Sequence, residues 1–223
     1  MPDIAAFIDQ FGALLAQGTV DTLIMVFLST GIAYVFGILL GVILHLTAPG
    51  GLRPAPVVNA VLGWIVNIGR SLPFIILLVA IMPVTMLVAH ATTGVQGVVF
   101  PLVVATAPFV ARMVEQSLAE VPREVVEATE ACGASVPRIV FSALLPEALP
   151  SIVRGVAVTL IAVLGYTAIA GAVGAGGLGD IAIRYGYYRY EDQVMIVTVV
   201  LLVILVQVIQ SVCNLIARKV DHR

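Results

Sequence analysis

The sequence predicts an all-α integral membrane protein whose chain crosses the bilayer five times. Three observations carry that expectation. Of 223 residues, 61% are hydrophobic and only 11% are Asp, Glu, Lys or Arg, whereas soluble domains average about 45–50% apolar and about 25% charged residues. The apolar residues form long runs broken by short polar stretches, and the mean hydropathy is +1.12. Five of the runs approach the roughly 20 residues that a helix needs to cross the hydrocarbon core.

The first run covers 20–44 and is closed by His45 and the turn-forming Pro49-Gly50-Gly51. Ahead of it lies a gently amphipathic stretch carrying Asp3 and Asp9. With no basic residue after Met1-Pro2, that stretch does not read as a signal peptide. The second run is 71–89, with an extension back through Arg70 to Val57. The third spans about 95–110 and ends at Arg112, the fourth about 152–173, and the fifth 194–217. An odd number of crossings puts the termini on opposite sides. The whole of 1–223 reads as one transmembrane domain.

Lys and Arg near span ends mark the cytoplasmic face. With the N-terminus outside, Arg53, Arg70, Arg112, Arg123, Arg138, Arg154, Arg218, Lys219 and Arg223 fall on or near that face, and only Arg184 and Arg189 fall outside. The C-terminus is then cytoplasmic. Arg70, in Gly69-Arg70-Ser71-Leu72-Pro73-Phe74, has two readings. It is a snorkelling arginine at the interface, or a charge held within the bundle that takes part in gating.

Composition also excludes several classes. A net charge of −2 and a pI near 5.9 oppose nucleic-acid binding, which needs a basic footprint. The one lysine, Lys219, follows Ala217-Arg218 rather than a glycine-rich turn, so no phosphate-binding loop of the Gly-Lys-Ser/Thr kind exists. Cys132 and Cys213 lie in different segments, without Cys-x-x-Cys spacing, and read as small apolar side chains. Asp21 sits at the edge of the first run, and no Asp, Glu, Lys or His lies at mid-membrane depth. Carriers driven by ion gradients usually keep carboxylates there. His45, His90 and His222 stand at span ends or in the tail, with no nucleophile or metal partner at useful spacing.

The polar segment of about 112–150 reads as two short helices. Pro122 suits a first helical position, where its missing N–H is not needed. Glu124, Glu127 and Glu130 follow, and Gly133 suits the left-handed residue that ends a helix. Ser135 then caps a second helix through Val136-Pro137-Arg138 to Leu144-Leu145-Pro146. Such a segment serves equally as a solvated amphipathic connector. Its spacing, however, resembles the EAA loop of ABC-importer permeases: Glu-Ala-Ala, three residues, Gly, nine residues, Ile-x-Leu-Pro. Glu127, Ala128, Gly133, Leu145 and Pro146 match, while Thr129 and Ala143 depart with small side chains.

A second loop, Gly174-Ala175-Gly176-Gly177-Leu178-Gly179, satisfies G-x-G-x-x-G. A dinucleotide site needs a strand before that motif, and a membrane-length apolar run precedes this one. The glycines are expected instead to break the fourth helix and let the chain re-enter the bundle. The run from Gly165-Tyr166-Thr167 through Asp180, with Tyr185-Gly186-Tyr187, is similar to the methionine-importer permeases. So are Arg70-Ser71-Leu72-Pro73-Phe74-Ile75 and Ala107-Pro108-Phe109-Val110-Ala111-Arg112. The resemblance covers nearly the whole chain.

That resemblance implies a type I ABC-importer permease fold working as a homodimer on a dimer of cytoplasmic ATPases, in the bacterial inner membrane. ATP and magnesium would be held by the ATPase, with no cofactor and no catalytic or metal residue in this chain. A periplasmic or lipid-anchored methionine-binding protein would deliver substrate, and lipid would surround the spans. The coupling helix would be about 122–132, centred on Glu127, Ala128, Thr129 and Gly133. A span bundle without charges or nucleotide motifs cannot energise accumulation alone, which agrees with an ATPase partner. Asn67, Arg70, Tyr166 and Thr167 are candidates for gating or for lining the path, as are Asn59 and Gln207. Gly37-x-x-x-Gly41 permits close helix approach, though lone flexible glycines would read the same. Other readings stay open: another small substrate, a gradient-driven carrier, or a membrane scaffold.

Overall fold

A computed structural model describes residues 4–220, and every regular element among them is helical. Met1, Pro2, Asp3, His222 and Arg223, which enter the leader, histidine and charge readings, lie outside the described residues. The long helices are α1 (Ile4–Thr47), α5 (Gly94–Ala119), α8 (Leu145–Gly171) and α10 (Asp192–Val220). Between them lie α2 (Pro56–Ser71), α3 (Phe74–Ala80), α4 (Met82–Ala89), α6 (Arg123–Ala131), α7 (Val136–Ile139) and α9 (Gly177–Ile181). Two π-helical turns, Val140–Leu144 and Ala182–Tyr187, complete the order.

Four stretches are long and apolar enough to cross a membrane: Ala5–Thr47, Gly94–Ala119, Val136–Gly171 and Asp192–Lys219. The bent pair Pro56–Ser71 and Phe74–Ala80 supplies a fifth crossing when counted as one. The expected second span of 71–89 is therefore not one helix. Pro73 forces the residue before it out of the helical region, and Leu72 is extended, at φ −81° and ψ 127°. Pro83 then stands in the first turn of α4. The apolar run is divided among the end of α2, α3 and α4.

Other boundaries move outwards. At 44 residues, α1 is about 66 Å long, roughly twice the hydrocarbon thickness. Between Ile4 and Val20 no proline interrupts it, so the amphipathic lead-in joins the span. α5 likewise continues nine residues past Val110, to Ala119. The second short helix expected after Ser135 is not separate either. It runs unbroken into the fourth span as Val136–Gly171. Pro146 has no N–H to offer the Ser142 carbonyl. The Leu145 N–H bonds instead to Val140 O, widening one turn to the i−5 pattern and carrying the helix past the proline.

Packing divides the chain into two compact units. The first holds Pro73–Val104, Leu160–Ser211 and the chain up to Gly31. In it Phe11 and Leu15 of α1 pack with Leu178 and Ile181 of α9 and with Val194 of α10. The glycine loop makes this possible. Gly174, Gly176 and Gly177 all take positive φ, and a Cβ on Gly177 would lie 2.7 Å from Thr22 Oγ1. Buried Thr22 donates its hydroxyl proton to Gly18 O at 2.8 Å and accepts the Leu178 N–H at 2.9 Å. The first turn of α9 is thereby satisfied by a side chain of α1.

The second unit holds Ile32–Leu72, Ala105–Thr159 and the chain from Val212 onward. Val110, Val114 and Leu118 of α5 pack there with Ile139, Val140, Leu144 and Ala148. Gly37 and Gly41 bring α1 onto α5. A Cβ on Gly37 would lie 2.6 Å from Val110 Cβ, and one on Gly41 2.7 Å from the Ala111 carbonyl oxygen. The small-residue pair is used inside the chain. In lipid, where the hydrophobic drive between helices is lost, such close van der Waals packing is a main source of association.

Candidate functional site

The connection between α5 and α8 contains the residues with the strongest functional pattern. α5 ends at Ala119, and Pro122, at φ −57° and ψ 135°, precedes α6. Glu124 in the first turn of α6 favours the helix-dipole N-terminus. Val125 and Val126 turn inwards on the core of Val114, Leu118, Ile139 and Val140. The Thr129 hydroxyl donates to the Val125 carbonyl at 2.7 Å.

A Schellman motif closes the helix. The Gly133 N–H reaches Glu130 O at 2.8 Å, and the Ala134 N–H reaches Thr129 O at 3.3 Å. Gly133 holds φ at +74°, a conformation that costs a residue with a Cβ about 1–2 kcal/mol. The opposite face of α6 is open: Arg123, Glu124, Glu127, Ala128, Ala131 and Gly133 are all exposed. Arg123 Nε and Glu127 Oε1 lie 2.8 Å apart, on side chains 83% and 61% exposed. Leu145 is half-buried and Pro146 exposed, directly after the π-helical segment.

Glu127 and Ala128 thus stand on an outward face with a small side chain beside a carboxylate, which lets another backbone approach closely. Beside this face is an open groove of about 490 Å³. His45 and the turn from Ala48 to Leu52 form one wall, and Arg123, Val126, Glu127 and Glu130 form another. Sequence reasoning missed that the end of α1 belongs here. The signal was present in Pro49-Gly50-Gly51, a turn that only stops the helix when read locally.

Of the gating and path candidates, Asn59, Asn67 and Arg70 belong to the second unit and Tyr166, Thr167 and Gln207 to the first. Asn67 and Arg70 are exposed, one turn apart on α2. The Asn67 carbonyl accepts the Ser71 hydroxyl at 2.8 Å. Tyr166 stacks on Phe74, with ring centroids 4.8 Å apart. Thr167 is buried, and its hydroxyl donates to the Leu164 carbonyl at 2.8 Å. Asn59 donates to Leu44 O at 2.8 Å, closing the C-terminus of α1, and Gln207 is exposed on α10. Among the described residues no group of three or more His, Cys, Asp or Glu is placed to hold a metal ion.

Over residues 33–223 the chain matches the family described as the binding-protein-dependent transport system inner membrane component. It is 49% identical over 210 residues to the probable D-methionine transport system permease protein MetI of Vibrio cholerae, covering 94% of this chain and 93% of that one. It is 40% identical over 181 residues to the methionine import system permease protein MetP of Bacillus subtilis, covering 81% and 82%. Among solved structures, the inward-facing MetNI methionine ABC transporter has a chain that superposes with a TM-score of 0.94 at 45% identity, covering 96% of this chain and 99% of that one.

Proposed function

Because this chain belongs to the family of binding-protein-dependent transport system inner membrane components, we propose that it is the membrane-spanning permease of an ATP-driven methionine importer, coupled to its ATPase through α6. It is a multi-pass inner-membrane protein of the ABC-importer permease fold, and ATP hydrolysis belongs to a separate subunit. The relatives named for methionine transport, matched over most of their length, support the substrate. The observation that carries the coupling role is the exposed Glu127-Ala128 face of α6, locked at one end by Gly133.

In this reading two copies of the chain stand on two ATPase subunits, which hold ATP and magnesium. Closure of the ATPase dimer pushes on α6. Through the packing of Val125 and Val126 on Leu118 and Ile139, that push reaches α5 and the helix that leads into α8. The spans then alternate between inward and outward access, and a methionine-binding protein supplies substrate from the other side. The α6 side is cytoplasmic and the N-terminus lies outside, as the arginine distribution favours.

The test is to purify the tagged chain from its own membrane in mild detergent and identify what remains bound. A P-loop ATPase at about one copy per permease is expected, and the reconstituted complex should take up labelled methionine only with ATP. Recovery of the chain alone after crosslinking, with uptake that follows an ion gradient, would refute the proposal.

A further inference from the structure

Exposed aromatic side chains cluster on the loop that leads into α10, within the first unit. Tyr187, Tyr188 and Tyr190 are 62%, 69% and 85% exposed. The loop holds them firmly. The Tyr188 N–H donates to Ile183 O at 3.0 Å and the Glu191 N–H to Tyr185 O at 3.1 Å. The rings of Tyr187 and Tyr188 meet edge-on at 5.3 Å. Gly186 lies so close to α10 that a Cβ there would be 2.8 Å from Met195 Cβ. Tyr185 is fixed between Phe11, with ring centroids 6.0 Å apart, and Arg189, whose guanidinium carbon lies 4.6 Å above its ring.

Exposed phenol rings on a soluble protein would be an unusual expense of apolar surface. Here they stand within five residues of the start of α10, the most apolar of the four candidate spans. The exposed Ile196, Val199, Val200 and Val203 continue the patch along that helix. We propose that Tyr187, Tyr188, Arg189 and Tyr190 form a phospholipid-headgroup contact that sets the depth at which α10 enters the bilayer. A tyrosine ring is apolar along its body and polar at its tip, which suits the interface between acyl chains and headgroups. Arg189 is exposed with its guanidinium carbon over the Tyr185 ring, and a guanidinium edge matches a phosphate oxygen pair.

The charges around the patch define which part of the headgroup is read. Arg184 pairs with Asp180, while Glu191 and Asp192 follow Arg189 in sequence. Two arginines against three carboxylates leave the local sum negative, so the contact reads the phosphate shared by all phospholipids rather than a net anionic surface. A soluble protein, or the second copy of this chain, seated on the same patch is the competing occupant. Continuity with the exposed apolar wall of α10 favours lipid.

Trp64 is the chain's one tryptophan, which permits a direct test. Trp64→Phe combined with Tyr188→Trp leaves one tryptophan in this chain, and the assembled transporter is reconstituted into vesicles carrying either a headgroup nitroxide or bromines near the bilayer centre. The Trp64→Phe complex is measured alongside to subtract the tryptophans of its other subunits. The headgroup quencher is expected to act on the order of twofold or more strongly than the deep one, as a ring at headgroup depth requires. Phosphatidylcholine and phosphatidylglycerol vesicles should behave alike, and adding Arg189→Gln should reduce the headgroup quenching. A reporter reached by neither lipid quencher, whether iodide reaches it or not, or one shielded only when a soluble partner is added, would overturn the proposal. Tyr190→Trp in the same Trp64→Phe background repeats the measurement where the first reporter fails to assemble.

Discussion

Gly133 offers the sharpest test of what α6 does. Its φ of +74° belongs to the left-handed region, and no atom lies within 4 Å of where a Cβ would stand. A substitution therefore meets no clash within the chain, and its cost is conformational alone. For alanine that cost is about 1–2 kcal/mol, which lowers the population of the closed helix end by roughly 5–30-fold at about 1.4 kcal/mol per factor of ten. Asparagine, whose short side chain bonds locally, loses much less, and β-branched valine loses most. The assay is methionine taken up per ATP hydrolysed in proteoliposomes holding the assembled complex, beside a gel-filtration profile that reports assembly. The expected order is Gly133 first, then Gly133→Asn, Gly133→Ala and Gly133→Val, with insertion unchanged throughout. Alanine performing as well as or better than asparagine would show that size at the docking face matters, not the left-handed turn. Full coupling in Gly133→Val would remove α6 from the coupling path.

Three further outcomes follow from the packing. Thr22→Val leaves the buried Leu178 N–H without its acceptor and should cost about 1–3 kcal/mol, seen as a lower thermal midpoint in detergent that Thr22→Ser restores. Gly41→Val places a Cβ 2.7 Å from the Ala111 carbonyl oxygen and should destabilise by about 1–3 kcal/mol through overpacking, with Gly41→Ala milder in the same melt. Glu127→Gln breaks an ion pair whose two side chains are mostly exposed, so the midpoint should hardly move, because exposed helix pairs contribute about 0.3–0.5 kcal/mol at most. The ATPase recovered with the permease should nonetheless fall, and more so at higher salt. An unaltered recovery would mean that Glu127 makes no partner contact.

The membrane class, the number of apolar runs and the α6 pattern were all readable from residue order, since each depends on local chemistry. Apolar length sets membrane residence, and Pro122 and Gly133 carry their helix-start and helix-end preferences with them. The same is true of the glycine loop, because three left-handed glycines within four positions break any helix.

What residue order could not express was where the crossings begin and what the small residues touch. Apolar content marked 71–89 as one span, but Pro73 and Pro83 constrain the backbone more strongly than hydropathy favours a helix, so the run is divided among the end of α2, α3 and α4. The Gly37-x-x-x-Gly41 pair was ambiguous until Val110 and Ala111 were found against it. The bond from the Thr167 hydroxyl to the carbonyl of Leu164 is likewise visible only in the folded chain. The Ala48–Leu52 turn joined α6 around one groove although about seventy residues separate them along the chain. Local preferences decide which segments are helical and which end they stop at. Which faces meet is decided by packing between residues far apart in sequence, and only the folded chain contains that information.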